Sequence, residues 1–264
     1  MTDKKDDLPV ELYNLVGDYS CTLQYETVAK TFLLTANNRA NKYLKIQPVG
    51  YPNSLEQQSK RLLWLTNKLP VPEIIDYGIT GGYEYLITYE ISGYAASNEI
   101  FKKDTKEMIA LIAKGLREIH ELSISDCPFD NSINKLMTIA QYNIQNRFFD
   151  PVELQNKFGE DSIEKLLREV ELFSDVLTED LVFTHGDYSL PNIIIKDGTI
   201  EGYLDLGNCG MADRYYDLAV AEKSIIRNFG SEYLQLFYEQ YGISKSNTEK
   251  IRFYQLMEHL LDSN

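Results

Sequence analysis

Two stretches decide how this chain reads: THGDYSLPNIII, residues 184–195, and YLDLG, residues 203–207. In the first, the apolar strand LVFT runs out at His185-Gly186-Asp187, so Asp187 projects from a strand end into a polar loop. Asn192 follows five residues later and leads into an apolar run. Asp197-Gly198 then separates NIII from TIEGYL, and such a pair between apolar runs signals a two-residue hairpin turn. The hairpin ends at Asp205-Leu206-Gly207 and is expected to fold Asp205 back beside Asn192.

A carboxylate and an amide oxygen side by side are hard ligands. They suit Mg²⁺, which keeps few protein ligands and takes phosphate oxygens for the rest. Asp187, outside that pair, is placed to orient a hydroxyl nucleophile and accept its proton. A loop Asp, an Asn five residues on and a later D-x-G form the phosphoryl-transfer arrangement of kinases. That arrangement needs a lysine on a strand of a β-rich region to offset phosphate charge, and Lys45 in NKYLKI is positioned for it. Tyr43 shares the face of Lys45, because side chains alternate along a strand, and can lie against an adenine ring. The backbone near Tyr89 and Ile91 is expected to read the edge of the adenine, with Thr27 in the Tyr25–Ala29 connection facing the phosphates. That connection lacks the glycines of the protein-kinase loop. His185 is expected to brace its loop rather than act as a base, and Asp217 in ADRYYDLA to hold the loop's backbone amides. His120 and His259, on apparent helices, read as core or surface residues.

Composition narrows the class. The 264 residues are 44% hydrophobic and 25% charged, a balance that can build a globular core. With 40 acidic against 26 basic residues the formal charge is −14, which argues against a nucleic-acid binder. Three cysteines with no C-x-x-C pair and three histidines argue against a zinc site or a disulfide framework, and fit a reducing cytoplasm. MTDKKDDLP has no apolar core of a signal peptide, and no apolar run reaches a membrane span of about 18 residues. A soluble cytoplasmic protein with neither nucleic-acid nor membrane partners is expected.

The order of elements predicts an α+β fold. Alternation over 19–25 and 28–36, then KYLKI, predicts strands, and SLEQQSKRLLWLTNK at 54–68 predicts a helix stopped by PVP. PEIIDYGIT and YEYLITY flank Gly81-Gly82 as a further hairpin. Beyond residue 90, helices are predicted at about 104–121, 131–148, 160–177, 212–228, 230–241 and 247–262. The expected organisation is a nucleotide-binding β-rich lobe with one helix over 1–90, a hinge over 91–98 and a larger helical lobe over 99–264 carrying the catalytic loop and substrate site. A cleft between lobes is where ligands tend to bind.

HGDYSLPNIIIKDGTIEGYLDLGNCGMADRYYDLA resembles the catalytic segment of the aminoglycoside 3'-phosphotransferases, bacterial enzymes with a protein-kinase-like bilobal fold. The likeness extends to YLKI, LLWLTNKLPVPEIIDYG, LREIHELSISDCPFDNS and KIRFYQLMEHLL, and so covers nearly the whole chain. It implies ATP-dependent phosphorylation of a hydroxyl on a cationic aminoglycoside antibiotic, with Asp187 as base, Asn192 and Asp205 on Mg²⁺ and Lys45 on the nucleotide. ATP and GTP stay open as donors. The chain departs from the family at Gln58, where a glutamate pairs with the strand lysine, and at Asn208, where a basic residue follows D-L-G. On the substrate side Leu190, Arg227 and Asn228 stand where acids are expected. The carboxylates left for an ammonium-rich substrate are Asp150, Glu153, Glu160, Asp161, Glu258 and Asp262. Three functions follow: an aminoglycoside kinase, a kinase of the same fold for another small alcohol, and a nucleotide-binding module without catalysis.

Overall fold

The computed structural model describes residues 8–51, 54–146, 148, 162–174 and 177–261. By packing, the chain divides into two units, Met1–Gly93 with Glu201–Asn208, and Tyr94–Ile200 with Cys209–Asn264.

The first unit is built on a five-stranded antiparallel sheet. Its strands are β1 (Ser20–Glu26), β2 (Lys30–Thr35), β3 (Lys42–Pro48), β4 (Ile74–Thr80) and β5 (Tyr83–Tyr89), in the order β1-β2-β3-β5-β4. Alternation selects its faces: Phe32 and Leu34 of β2 and Leu44 and Ile46 of β3 are buried together. Leu12 and the short helix α1 (Tyr13–Val16) cover that face, while Tyr43 and Lys45 emerge on the other. Gly81 and Gly82 both take positive φ, +57° and +83°, as a two-residue β4–β5 turn requires.

Helix α2 (Leu55–Leu65) starts where the Ser54 hydroxyl accepts from the Gln57 amide at 3.3 Å. Leu55, Ser59, Leu62 and Leu65 form its buried stripe, and Leu63 is 63% exposed. The helix ends three residues short of the predicted stop, where the Thr66 hydroxyl bonds the Leu62 carbonyl. The distant segment Glu201–Asn208 belongs here because the Tyr203 amide donates to the Pro70 carbonyl at 3.0 Å. Gly202 permits that approach, since a Cβ there would stand 2.3 Å from Ile91.

The second unit is mainly helical: α3 (Thr105–His120), α4 (Ile133–Asn146), α5 (Ser162–Ser174), α6 (Tyr215–Asn228), α7 (Leu234–Tyr241) and α8 (Thr248–Leu261). Two pieces of strand lie where the sequence predicts a connector and a helix start. The run expected to start a helix at 212 begins as β10 (Gly210–Asp213), paired with β7 (Leu181–Thr184), and the helix starts at Tyr215. In the polar connector, β6 (Tyr94–Ala95) pairs with β8 (Ile193–Lys196), itself next to β9 (Thr199–Tyr203). Both pairings satisfy backbone groups that periodicity alone leaves out. The β8–β9 turn has φ of +50° at Asp197 and +78° at Gly198, as the Asp-Gly signal requires. Gly242, at φ +105°, caps α7 in the left-handed region. Among the described residues, no helix is long and apolar enough to cross a membrane.

Candidate active site

The catalytic-loop candidate lies in the second unit, between β7 and β8. Three buried elements hold its backbone. Asp217 on α6 accepts from the amides of His185 at 2.6 Å and Gly186 at 2.8 Å. The Tyr188 hydroxyl donates to the Ile112 carbonyl of α3 at 2.7 Å, and Ser224 on α6 accepts from the Leu190 amide at 2.9 Å. Gly186 adopts φ +85°, a conformation that favours glycine, directly before Asp187. The loop then closes on itself. The Asn192 side-chain nitrogen donates to the Asp187 carboxylate at 2.7 Å and to its carbonyl at 3.1 Å. An aspartate positioned by an amide in this way can accept a hydrogen bond from a substrate hydroxyl in a set direction.

Asp217 is itself supported from behind. His120, at the end of α3, lies 3.2 Å from the Asp217 carboxylate through Nε2 and 2.6 Å from the Tyr241 hydroxyl through Nδ1. With Nε2–H donating to the carboxylate, Nδ1 accepts from Tyr241. The Tyr241 oxygen in turn accepts from Arg214 Nη1 at 2.9 Å, and Arg214 grips Asp180 through Nε at 2.5 Å. That hydrogen bond from Arg214 holds the Asp180 carboxyl below its ordinary range. Burial raises Tyr241 to about 12, against the opposing pull of Arg214. Nothing in the sequence points to this chain of contacts; a lone histidine at a helix end carries no spacing signal.

The nucleotide-side candidates lie in the first unit. Lys45 Nζ donates to Gln58 Oε1 at 3.3 Å and to Asp205 Oδ1 at 3.4 Å. Gln58 thus takes the place of the expected glutamate, and Glu56 points elsewhere, paired with Lys60 at 2.8 Å. Asp205 adopts φ +53°, a left-handed backbone that is uncommon outside glycine. Tyr43 is half-buried, and desolvation followed by the charge of Glu90 raises its hydroxyl. The Tyr89 amide donates to the Glu73 carbonyl. Thr27 turns inward on its own connection, its amide and hydroxyl both reaching the Ala29 carbonyl at 2.9 and 3.3 Å.

The structure therefore brings Lys45 together with Asp205 in one unit, and Asp187 together with Asn192 in the other. Asn192 immediately precedes β8, and Asp205 stands two residues past β9, at the two ends of the predicted hairpin. Of the substrate carboxylates, Asp150, Glu153, Glu160, Asp161 and Asp262 lie outside the described residues. Glu258 is described and pairs with Lys223 at 2.8 Å. Leu190 is fully buried, so its side chain is a packing group.

Each unit offers a hard oxygen donor of the type that magnesium takes. The Asn192 nitrogen is committed to Asp187, which leaves its amide oxygen as the side-chain atom open to a ligand, and Asp205 in the first unit carries a carboxylate. Among the described residues there is no cluster of three or more His, Cys, Asp or Glu of the kind that holds zinc.

Sheet, helices and loop define a phosphotransferase of protein-kinase-like fold. The sequence profile described as Phosphotransferase enzyme family matches residues 27–254, and the chain belongs to that family. It is 33% identical over 257 residues to the aminoglycoside 3'-phosphotransferase of Niallia circulans, covering 96% of this chain and 97% of that one. It is 36% identical over 259 residues to the aminoglycoside 3'-phosphotransferase of Enterococcus faecalis, covering 95% and 97%. Among solved structures it resembles an aminoglycoside-3'-phosphotransferase of type VIII with a TM-score of 0.83, at 26% identity over 97% of this chain and 98% of that one.

Proposed function

We propose that this chain confers antibiotic resistance by transferring the γ-phosphoryl group of ATP to a hydroxyl of an aminoglycoside. One observation carries the reading: identity of 33% and 36% runs nearly end to end with enzymes named aminoglycoside 3'-phosphotransferase. Asp187 accepts the proton of the attacking hydroxyl as its oxygen bonds to the γ-phosphorus. The bond to the β–γ bridging oxygen breaks, and ADP departs. Lys45 offsets charge on the α- and β-phosphates, Tyr43 lies against the adenine, and the strand end at Tyr89 and Ile91 meets its edge. Thr27 lies in the connection over the phosphates. Asn192 and Asp205 would hold Mg²⁺, which supplies charge neutralisation at the phosphates. Asp150, Glu153, Glu160, Asp161, Glu258 and Asp262 are the carboxylates for the ammonium groups, and the net charge of −14 draws a polycation toward the protein.

A second reading, a kinase for a less cationic alcohol, rests on Lys223 already holding Glu258, with Arg227 one turn further along α6. Both readings meet one experiment. The protein is incubated with ATP and Mg²⁺ against kanamycin, neomycin, streptomycin and a set of neutral and anionic alcohols, and phosphorylated product is followed by mass spectrometry. Transfer to a ring hydroxyl of kanamycin or neomycin is expected. Asp187→Ala should cut turnover about 10³-fold while leaving nucleotide binding in place. Product only on neutral or anionic alcohols decides for the second reading, and ATP hydrolysis with no acceptor phosphorylated defeats the first.

A further inference from the structure

We infer that Gln58 is a positioning residue: being neutral, it leaves Lys45 dependent on Asp205 as counter-ion, so that divalent cation and nucleotide bind this chain in mutual dependence. The inference deepens the phosphotransferase reading and rests on it. Among the described residues Lys45 Nζ has two side-chain partners, Gln58 Oε1 at 3.3 Å and Asp205 Oδ1 at 3.4 Å, and of these the second carries charge. The acidic residue in the same first turn of α2, Glu56, is engaged by Lys60. Without ligands the ammonium and a metal cation therefore compete for one carboxylate.

The pair is built to exchange. Its side chains are 28% and 52% exposed and its separation is 3.4 Å, so solvent screens it and little holds it closed. A divalent cation on Asp205 takes over that carboxylate's charge and leaves Lys45 with only the neutral amide of Gln58. Phosphate oxygens are then the counter-charge available to it. Phosphates that draw Lys45 away instead leave Asp205 bare beside a polyanion, which a cation relieves. Each ligand thus raises the affinity for the other, and the factor is the same in both directions. A carboxylate at position 58 would satisfy Lys45 in every state, freeing Asp205 for the cation beforehand and reducing the dependence.

The experiment measures the dissociation constant of ADP by calorimetry with Mg²⁺ and with EDTA, in wild type, Gln58→Glu and Gln58→Ala. The ratio of the two constants is the readout, and it needs no turnover. In wild type it should be about tenfold or more. Gln58→Glu should lower it about fivefold, whereas Gln58→Ala, also uncharged, should keep it within about twofold. Equal ratios in wild type and Gln58→Glu overturn the inference. So does a fall in Gln58→Ala as large as in Gln58→Glu, because the hydrogen bond and not the charge would then be responsible. Absence of ADP binding to wild type under either condition overturns the phosphotransferase reading itself, and so is separable from the other outcomes.

Discussion

The surroundings of Asp187 and of Lys45 are built on opposite principles. Around Asp187, the loop amides meet a carboxylate with no exposure, at 2.6 and 2.8 Å, and that carboxylate is backed by His120, Tyr241 and Arg214. Around Lys45, two partially exposed partners stand at 3.3 and 3.4 Å. A buried, satisfied polar network is stiff, because any member that leaves abandons groups that water does not reach. A half-exposed ammonium can change partners cheaply. On the proposed function, Asp187, which would meet the reacting hydroxyl, is held in advance, and Lys45, which would meet an arriving nucleotide, is left adjustable.

That contrast is breakable, first at Asp217. Asp217→Ala strands the amides of His185 and Gly186 and the ring of His120, so a loss of about 3 kcal/mol or more is expected in urea unfolding. Turnover should fall with it at temperatures where the variant stays folded. An unchanged unfolding midpoint would show that the loop does not depend on its buried anchor. Lys45→Met should do the reverse. Nucleotide affinity falls by about tenfold to a hundredfold, while the melting temperature of the ligand-free protein barely moves, since an exposed pair contributes about 0–1 kcal/mol. A large drop in that melting temperature would erase the distinction between the two regions.

The smallest effect sharpens the picture. Tyr241→Phe removes the hydroxyl between His120 and Arg214, and about 1 kcal/mol should be lost near neutral pH. Tyr241 has its ionisation raised from the ordinary 10.0 to about 12 in the folded protein. Between those values the unfolded chain loses this proton and the folded chain keeps it. The hydroxyl's contribution is therefore whole below pH 10 and is lost as pH rises toward 12. The stability gap between wild type and Tyr241→Phe should narrow across that window, as read by chemical denaturation at each pH. A gap that is constant with pH would mean that the tyrosine is not titrating from inside the network.

Part of this is legible in the sequence alone. Alternation in KTFLLT and KYLKI is enough to place Lys45 and Tyr43 on the face opposite the core, because a strand has only two faces. Asp197-Gly198 set its turn, because few residue pairs tolerate two left-handed positions. Asp217 read as an anchor for the loop amides, and it bonds two of them. The short strands β6 and β10 escaped notice, since two to four residues hold too little periodicity to separate from a connector or a helix start. His120 also escaped, because its partners lie 97 and 121 residues away in the sequence.

What the sequence by itself determined is the chemistry on offer: Asp187, Asn192, Asp205 and Lys45 at their spacings, and an uncharged residue at position 58. Those are matters of residue type and short-range geometry. Only the tertiary structure decided which partner each group takes. Gln58 rather than Glu56 faces Lys45, Asp205 serves as its counter-ion, and a histidine from a distant helix stands behind the candidate catalytic loop. The physical reason is that a helix face, or a hydrogen bond across a hundred residues, is selected by packing, and packing is settled by the chain as a whole.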